Sequence, residues 1–151
     1  MNSTDGPTLG TTADLTRTSR PRPTLRLAGR GLLATLAAMA ATTLAAALAA
    51  TIGVDFEIPA GGETIPLPGF AVVTGLFSLV GVAIAVALLR WSARPAEWFV
   101  RTTLVLTALS LIPPVISGAA GGTIAALIAL HLIAASVMIP TLTRSLRART
   151  S

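Results

Sequence analysis

Long stretches without a charged residue constrain this chain more than any other feature of its sequence. Gly31 to Ile52 and Gly69 to Leu89 contain 22 and 21 residues without Asp, Glu or Arg, and Thr102 to Thr143 contains 42. A helix rises about 1.5 Å per residue, so about 20 apolar residues cross a hydrocarbon core of about 30 Å. The first two stretches fit one crossing each, and the third fits two. The sequence therefore predicts an all-α integral membrane protein, a four-helix bundle.

The two crossings in the third stretch need a turn between them and an extension upstream. Ser117 to Gly122 supplies the turn. Thr102 to Ile112 alone would rise only about 16 Å, so we expect the third span to begin near Glu97 and to run through Pro113 and Pro114. These prolines predict a helix kink, because each removes a backbone donor and crowds the preceding turn. The four predicted spans cover about residues 31–52, 69–89, 98–117 and 123–142.

The segments outside the spans have the composition of a tail and a loop. Residues 1–28 are rich in Thr, Ser, Pro, Gly and Arg, so we expect a disordered cytoplasmic tail before a transmembrane domain of residues 29–151. Residues 53–68 combine acids, prolines and glycines, as loops do. The alternation from Val54 to Ile58 could make one arm of a small hairpin that turns at Ala60 to Gly62.

The positions of the arginines predict the orientation. All eleven basic residues are arginines, and they precede span one, join spans two and three, or follow span four. Four crossings put these regions on one side, whereas the other side has three acids and no basic residue. The positive-inside rule then predicts a multi-pass protein of the cell membrane with both termini in the cytoplasm. The topology determinants are Arg30, Arg90, Arg94, Arg101, Arg144 and Arg147.

Two alternatives bear on this interpretation. The basic leader, the apolar run and the segment Ala47 to Ala49 could form a signal peptide with a cleavage motif, although the leader is long and the run exceeds a usual signal core. The net charge of +5 could indicate a nucleic-acid partner. Because the arginines lie at span ends, topology explains the charge, and we expect no nucleic-acid partner.

His131 is the only histidine and the only ionisable residue near mid-membrane in the predicted spans. Such a residue is a candidate for a proton relay, a haem ligand or a polar bond between helices. Each active role needs a partner, and no Asp or Glu lies within a span. The alternative is a neutral imidazole that bonds to a backbone carbonyl or to a hydroxyl, such as that of Ser78, Thr107 or Ser110.

Span one carries two ridges of small residues at four-residue spacing, one from Ala34 to Ala50 and one from Ala37 to Ala49. Small residues let helices approach closely in lipid, and the partner here is another span or a second copy of the chain.

In the acidic loop, Asp55, Glu57 and Glu63 could attract a cation, but their spacing matches no calcium loop. The basic tail could contact anionic lipid at the inner leaflet.

Parts of the connector and of the last two spans resemble a known family. The segments that carry the resemblance are the arginine–tryptophan connector from Arg90 to Trp98, Arg101 to Val105, Ser110 to Pro114, Ala129 to Ala135 and Met138 to Leu142. They are similar to small actinobacterial membrane proteins classed as domain of unknown function 6069. The resemblance covers about residues 30 to 148. It implies four spans and an actinobacterial origin, and it transfers no activity and no functional residue.

The sequence predicts little chemistry. The chain has no cysteine, which excludes disulfides and thiol catalysis. We expect no catalytic residue, no metal site and no cofactor. The expected function is a non-enzymatic accessory or scaffold in the cell envelope, whose partners are the lipid bilayer and a second copy or another membrane protein. The alternatives are a small oligomeric transporter and a haem or redox protein that uses His131 from two copies.

Overall fold

The computed structural model describes residues 23–59 and 62–148. In this part of the chain the elements are, in order, α1 (Pro23–Thr51), β1 (Glu57–Ile58), β2 (Glu63–Thr64), α2 (Leu67–Trp91), α3 (Pro95–Ser110), α4 (Ile112–Ile116) and α5 (Gly121–Arg147). Within it, four helical spans are long and apolar enough to cross a membrane, and α3 and α4 together make the third. The prediction of an all-α fold with four membrane-spanning helices is confirmed.

The helices continue past the ends of the predicted spans. α1 begins at Pro23, so residues 23–28, which we assigned to the tail, are helical, while residues 1–22 lie outside the described part. Proline suits a first helical turn, because its missing N–H would have no intrahelical partner there. α5 likewise runs to Arg147 instead of ending near Leu142. The absence of charge marks the hydrocarbon core, whereas a helix can continue beyond it with arginine heads in the headgroup region.

The acidic loop between α1 and α2 forms the small hairpin that its alternation suggested. β1 and β2 pair in an antiparallel ladder, with Glu57 opposite Thr64 and Ile58 opposite Glu63. Gly62, next to the turn, has a φ of 62°, a left-handed conformation that glycine adopts without steric cost. The hairpin therefore forms part of the connection between the end of α1 and the start of α2.

α1 is the central helix of the packing. It contacts α2 and α5 more extensively than any other helices contact each other, and α3 packs less extensively against α5 and α2. Of the four spans, the third buries the smallest share of its residues. Large apolar side chains stay exposed on every span, among them Leu33, Phe77, Val105 and Leu132. Such surfaces suit contact with lipid.

The first small-residue ridge of α1 packs within the chain. Ala34, Ala38 and Ala46 are buried, and the same ridge includes the buried Thr42. Gly31 begins this face, and a Cβ built on it would lie only 2.6 Å from Cγ2 of Val82 in α2. Glycine at this position therefore permits a close approach between the first two spans.

The third span is interrupted at Leu111, two residues before the proline pair. The Leu111 N–H donates to the carbonyl of Ala108 at 3.2 Å, a tighter turn than an α-helix makes. This leaves the Thr107 carbonyl without its usual helical donor, and the Ser110 hydroxyl donates to it at 2.7 Å. Pro113 and Pro114 lie in the first turn of α4, which begins at Ile112, and the preceding turn, which they crowd, is where the helix breaks.

A third proline was not identified as a kink site in the sequence. Pro140 lies inside α5, and the helix continues through it. Proline can stay within a membrane helix when neighbouring groups accommodate the carbonyl that loses its donor. A proline in an apolar stretch therefore does not by itself locate a break.

Candidate functional site

His131 lies in the first half of α5 and is half-buried. Its Nδ1 is 2.8 Å from the carbonyl oxygen of Leu127, one turn earlier on the same helix. A carbonyl only accepts, so Nδ1 carries the proton and Nε2 of the neutral ring is an acceptor. The ring thus bonds to a backbone carbonyl, which was one of the options raised by the sequence. Among the described residues, no hydrogen bond is formed by Nε2.

His131 belongs to no cluster of candidate metal ligands among the described residues. Within residues 23–59 and 62–148, no group of three or more His, Asp or Glu side chains is placed to hold a metal ion. Of the hydroxyls considered as partners, that of Ser110 donates to the Thr107 carbonyl instead. In the part of the chain that the structure describes, the hydrogen bond of His131 is therefore the one from Nδ1 to the Leu127 carbonyl.

The interior between α1 and α2 contains a polar contact that the sequence analysis did not identify. The Thr42 and Thr74 hydroxyl oxygens lie 3.0 Å apart, and Thr42 Oγ1 also lies 2.9 Å from the Ala38 carbonyl. Both contacts are satisfied when Thr74 donates to Thr42 and Thr42 donates to Ala38. In the sequence, Thr42 lies at four-residue spacing among the small residues of span one. That spacing does not indicate that its partner is Thr74, which only the fold shows.

The hairpin is tied to the start of α5 by Asp55. Its Oδ1 accepts a hydrogen bond from the Thr123 hydroxyl at 2.9 Å and another from the Glu57 N–H at 3.2 Å. The Glu57 N–H and then the Thr123 hydroxyl hold the pKa of the Asp55 carboxyl below its usual value. Asp55 therefore links the loop between α1 and α2 to the first turn of α5, whereas Glu57 and Glu63 are exposed on the hairpin.

Phe56 follows Asp55 and inserts beneath the hairpin. Its ring is only 2% exposed and packs edge-on against Phe70 with 4.8 Å between centroids. It belongs to a buried cluster with Ala46, Leu127 and Leu130. The Phe56 backbone has a φ of 52°, uncommon for a non-glycine residue, and the burial of the ring compensates for that cost.

The predicted topology arginines lie in the first halves of α1 and α3, in the last turn of α2, directly before α3, and near the end of α5. Arg94 Nη1 is 3.6 Å from Glu97 Oε2 in an exposed pair. The Arg101 guanidinium lies 5.8 Å from the centroid of the Trp98 ring. This cation–π contact holds a charge against an aromatic residue of the kind that anchors helices at a membrane interface.

At the same end, a pocket of about 350 Å³ lies between the connector and the end of α5. Its lining residues are Ala93, Arg94, Pro95, Ala96, Glu97 and Arg147. Two of the arginines named from the sequence, Arg94 and Arg147, thus lie at one pocket. The others, Arg30, Arg90, Arg101 and Arg144, are exposed outside its lining. No local sequence signal joins Arg94 to Arg147, because the pocket depends on how α5 packs against α3.

Comparison with known protein families finds a match over most of the chain. A family model described as a family of unknown function, DUF6069, matches residues 22–148. No curated protein matches the chain, and no solved structure does. The match covers all four helical spans and ends one residue after α5.

Proposed function

Because the chain belongs to DUF6069, a family of unknown function, we propose a role that follows from its own packing. The protein acts as a non-enzymatic accessory or scaffold for a partner in the cell envelope. The observation that carries this proposal is the kind of contact made between the first two spans. Its closest contacts, Gly31 with Val82 and Thr42 with Thr74, hold helices together. They are structural contacts between helices and use no ionisable group.

The proposal extends to location and orientation. The protein resides in the cell membrane of an actinobacterial cell, with the arginine-bearing end and both termini in the cytoplasm. Two features support this: all eleven basic residues are arginines on one side of four crossings, and the acidic hairpin joins the opposite ends of α1 and α2. By the positive-inside rule, the side that carries the arginines is the cytoplasmic side.

Crosslinking in intact membranes followed by detergent purification tests the scaffold role. We expect a single partner, or a second copy of the chain, to be recovered in a fixed ratio. A tagged, unrelated four-span protein expressed at the same level is the control for nonspecific capture. A chain recovered only as an uncrosslinked monomer would contradict the proposal. Substrate-dependent flux in proteoliposomes would instead support the small oligomeric transporter.

One observation favours a second candidate, a haem or redox membrane protein. Histidines that bind metals commonly donate their other ring N–H to a carbonyl, and His131 donates from Nδ1 to Leu127. Nε2 from two copies would then supply two axial ligands. Protein purified from haem-supplemented cells would show a Soret band that His131→Ala abolishes. A wild-type protein without that band removes this candidate.

A further inference from the structure

The pocket at the arginine-bearing end has the size of a small-molecule site. Its volume of about 350 Å³ falls at the lower end of the usual range for ligand pockets, about 300–1,000 Å³. It is formed where the connector after α2 turns into α3 and where α5 ends. The pocket is therefore formed by segments that lie far apart in the sequence.

The charges that line the pocket favour an anion. Arg94 comes from the connector and Arg147 from the last turn of α5, and both residues line the same space. A guanidinium presents a planar fork of donors that matches the oxygens of a phosphate. The acid in the lining, Glu97, faces Arg94 at 3.6 Å across an exposed pair. Such exposed pairs contribute little, so a phosphate can compete with Glu97 for Arg94.

The backbone at the start of α3 adds donors. Arg94 is the N-cap, and no side chain caps the first turn. The first helical N–H with a backbone partner is that of Trp98, which donates to the Arg94 carbonyl at 3.2 Å. Ala96 and Glu97 are lining residues of the pocket. Their N–H groups precede that bond in the first turn, so they have no partner within the helix. They suit an anion, as free N–H groups at helix starts do.

The surface next to the pocket favours a lipid as the source of that anion. Trp98, one turn into α3, is exposed, and its ring lies against the Arg101 guanidinium. Farther along the same helix, Leu104 and Val105 are exposed apolar side chains. An anion attached to acyl chains could place its phosphate in the pocket while its chains run along α3. A free phosphate would gain nothing from that apolar surface.

From these observations we propose that the pocket binds the phosphate group of an anionic phospholipid. Arg94 and Arg147 hold the phosphate oxygens, and the first turn of α3 contributes backbone donors. Glu97 competes with the phosphate for Arg94 and weakens the site. This inference is independent of the scaffold role, because a transporter or a redox protein could carry the same lipid.

Native mass spectrometry of the full chain, released from nanodiscs with equal amounts of phosphatidylglycerol and phosphatidylcholine, tests the proposal. We expect phosphatidylglycerol to be retained preferentially. Arg94→Gln and Arg147→Gln should each lower that preference about tenfold, the order expected for the loss of a charge-assisted hydrogen bond to the phosphate. Arg90→Gln removes the same charge outside the lining and should change the preference less than twofold. Glu97→Gln should raise the preference, a gain that damage to the fold would not produce.

Three results would overturn the proposal. Equal losses in Arg90→Gln and Arg94→Gln would show that only overall charge matters. Equal retention of the two lipids by the wild type would show that the pocket has no preference for the anionic headgroup. Displacement of the retained lipid by millimolar inorganic phosphate would show that the site takes free phosphate and not a lipid.

Discussion

The hydroxyl oxygens of Thr42 in α1 and Thr74 in α2 lie 3.0 Å apart, which gives the first two spans an interhelical hydrogen bond. Thr42 is only 1% exposed, so water does not compete for its hydroxyl. The bond lies on the same face of α1 as Ala38 and Ala46, where small side chains bring the helices together. Close packing and a polar contact thus reinforce each other at one interface.

Thr74→Val should destabilise the protein by about 0.5–2 kcal/mol, the range found for hydrogen bonds between membrane helices. Unfolding of purified protein by increasing fractions of a denaturing detergent measures this free energy. Thr43→Val is the matched control, because the Thr43 hydroxyl is buried without a hydrogen-bond partner among the described residues. Replacing it should be neutral or stabilising. Equal losses in the two variants would show that the Thr42–Thr74 contact contributes nothing specific.

Gly31→Ala should destabilise the protein although alanine favours helices. The added Cβ would lie 2.6 Å from Cγ2 of Val82, a stiff β-branched side chain. Overpacking costs about 1–3 kcal/mol, which exceeds the gain in helix propensity of about 1 kcal/mol. Gly29→Ala adds the same methyl where nothing lies within 4 Å, so it should be neutral or stabilising.

The same unfolding experiment includes a rescue. Val82→Ala in the Gly31→Ala background removes both methyl groups that would clash and should restore part of the lost stability. Two glycine variants of equal stability would mean that α1 and α2 do not approach as closely as described.

Phe56→Ala should be among the most destabilising single substitutions in the hairpin, with a loss of about 3–5 kcal/mol. The ring is buried against Phe70, and its removal leaves a cavity beneath the loop. Phe77→Ala provides the control, because that ring is 67% exposed on an outer face. Thermal unfolding in detergent compares the two. The expectation fails if Phe77→Ala is as destabilising as Phe56→Ala.

The contribution of Asp55 should depend on pH. Its folded pKa lies below its usual value, so its stabilising effect is complete above the unfolded pKa of about 3.9. The effect is lost as pH falls through the lower, folded pKa. Wild type should therefore exceed Asp55→Asn in melting temperature at pH 7, and the gap should close below about pH 4. A gap that is constant over this range would assign the effect to shape and not to the charge.

Cysteine labelling should establish the orientation, because the chain has no native cysteine to remove. Glu63→Cys on the hairpin should react with a membrane-impermeant maleimide in intact cells. Ala93→Cys on the connector, also exposed, should react only after the membrane is opened. Labelling of Ala93→Cys in intact cells would reverse the proposed topology.

The sequence predicted the four spans because lipid imposes a strong requirement for uncharged length, which a single chain displays directly. It predicted less about the contacts between helices, because these depend on which helices pack against each other. The approach of Gly31 to Val82 and the bond from Thr123 to Asp55 join segments far apart in the chain. Neither glycine nor threonine indicates its partner. Phe56 was treated as part of a polar loop, although its alternation with Val54 was consistent with one buried side.

The break at Leu111 gives the third span a joint near one end. α3 has 16 residues, a rise of about 24 Å, which is shorter than a typical hydrocarbon core of about 30 Å. The five residues of α4 supply the missing length when they continue in line. In a thinner bilayer α4 could bend away from the axis of α3 at this break. A difference between the hydrophobic length of the third span and the thickness of the bilayer would then be accommodated at Leu111. The other three spans could keep their packing.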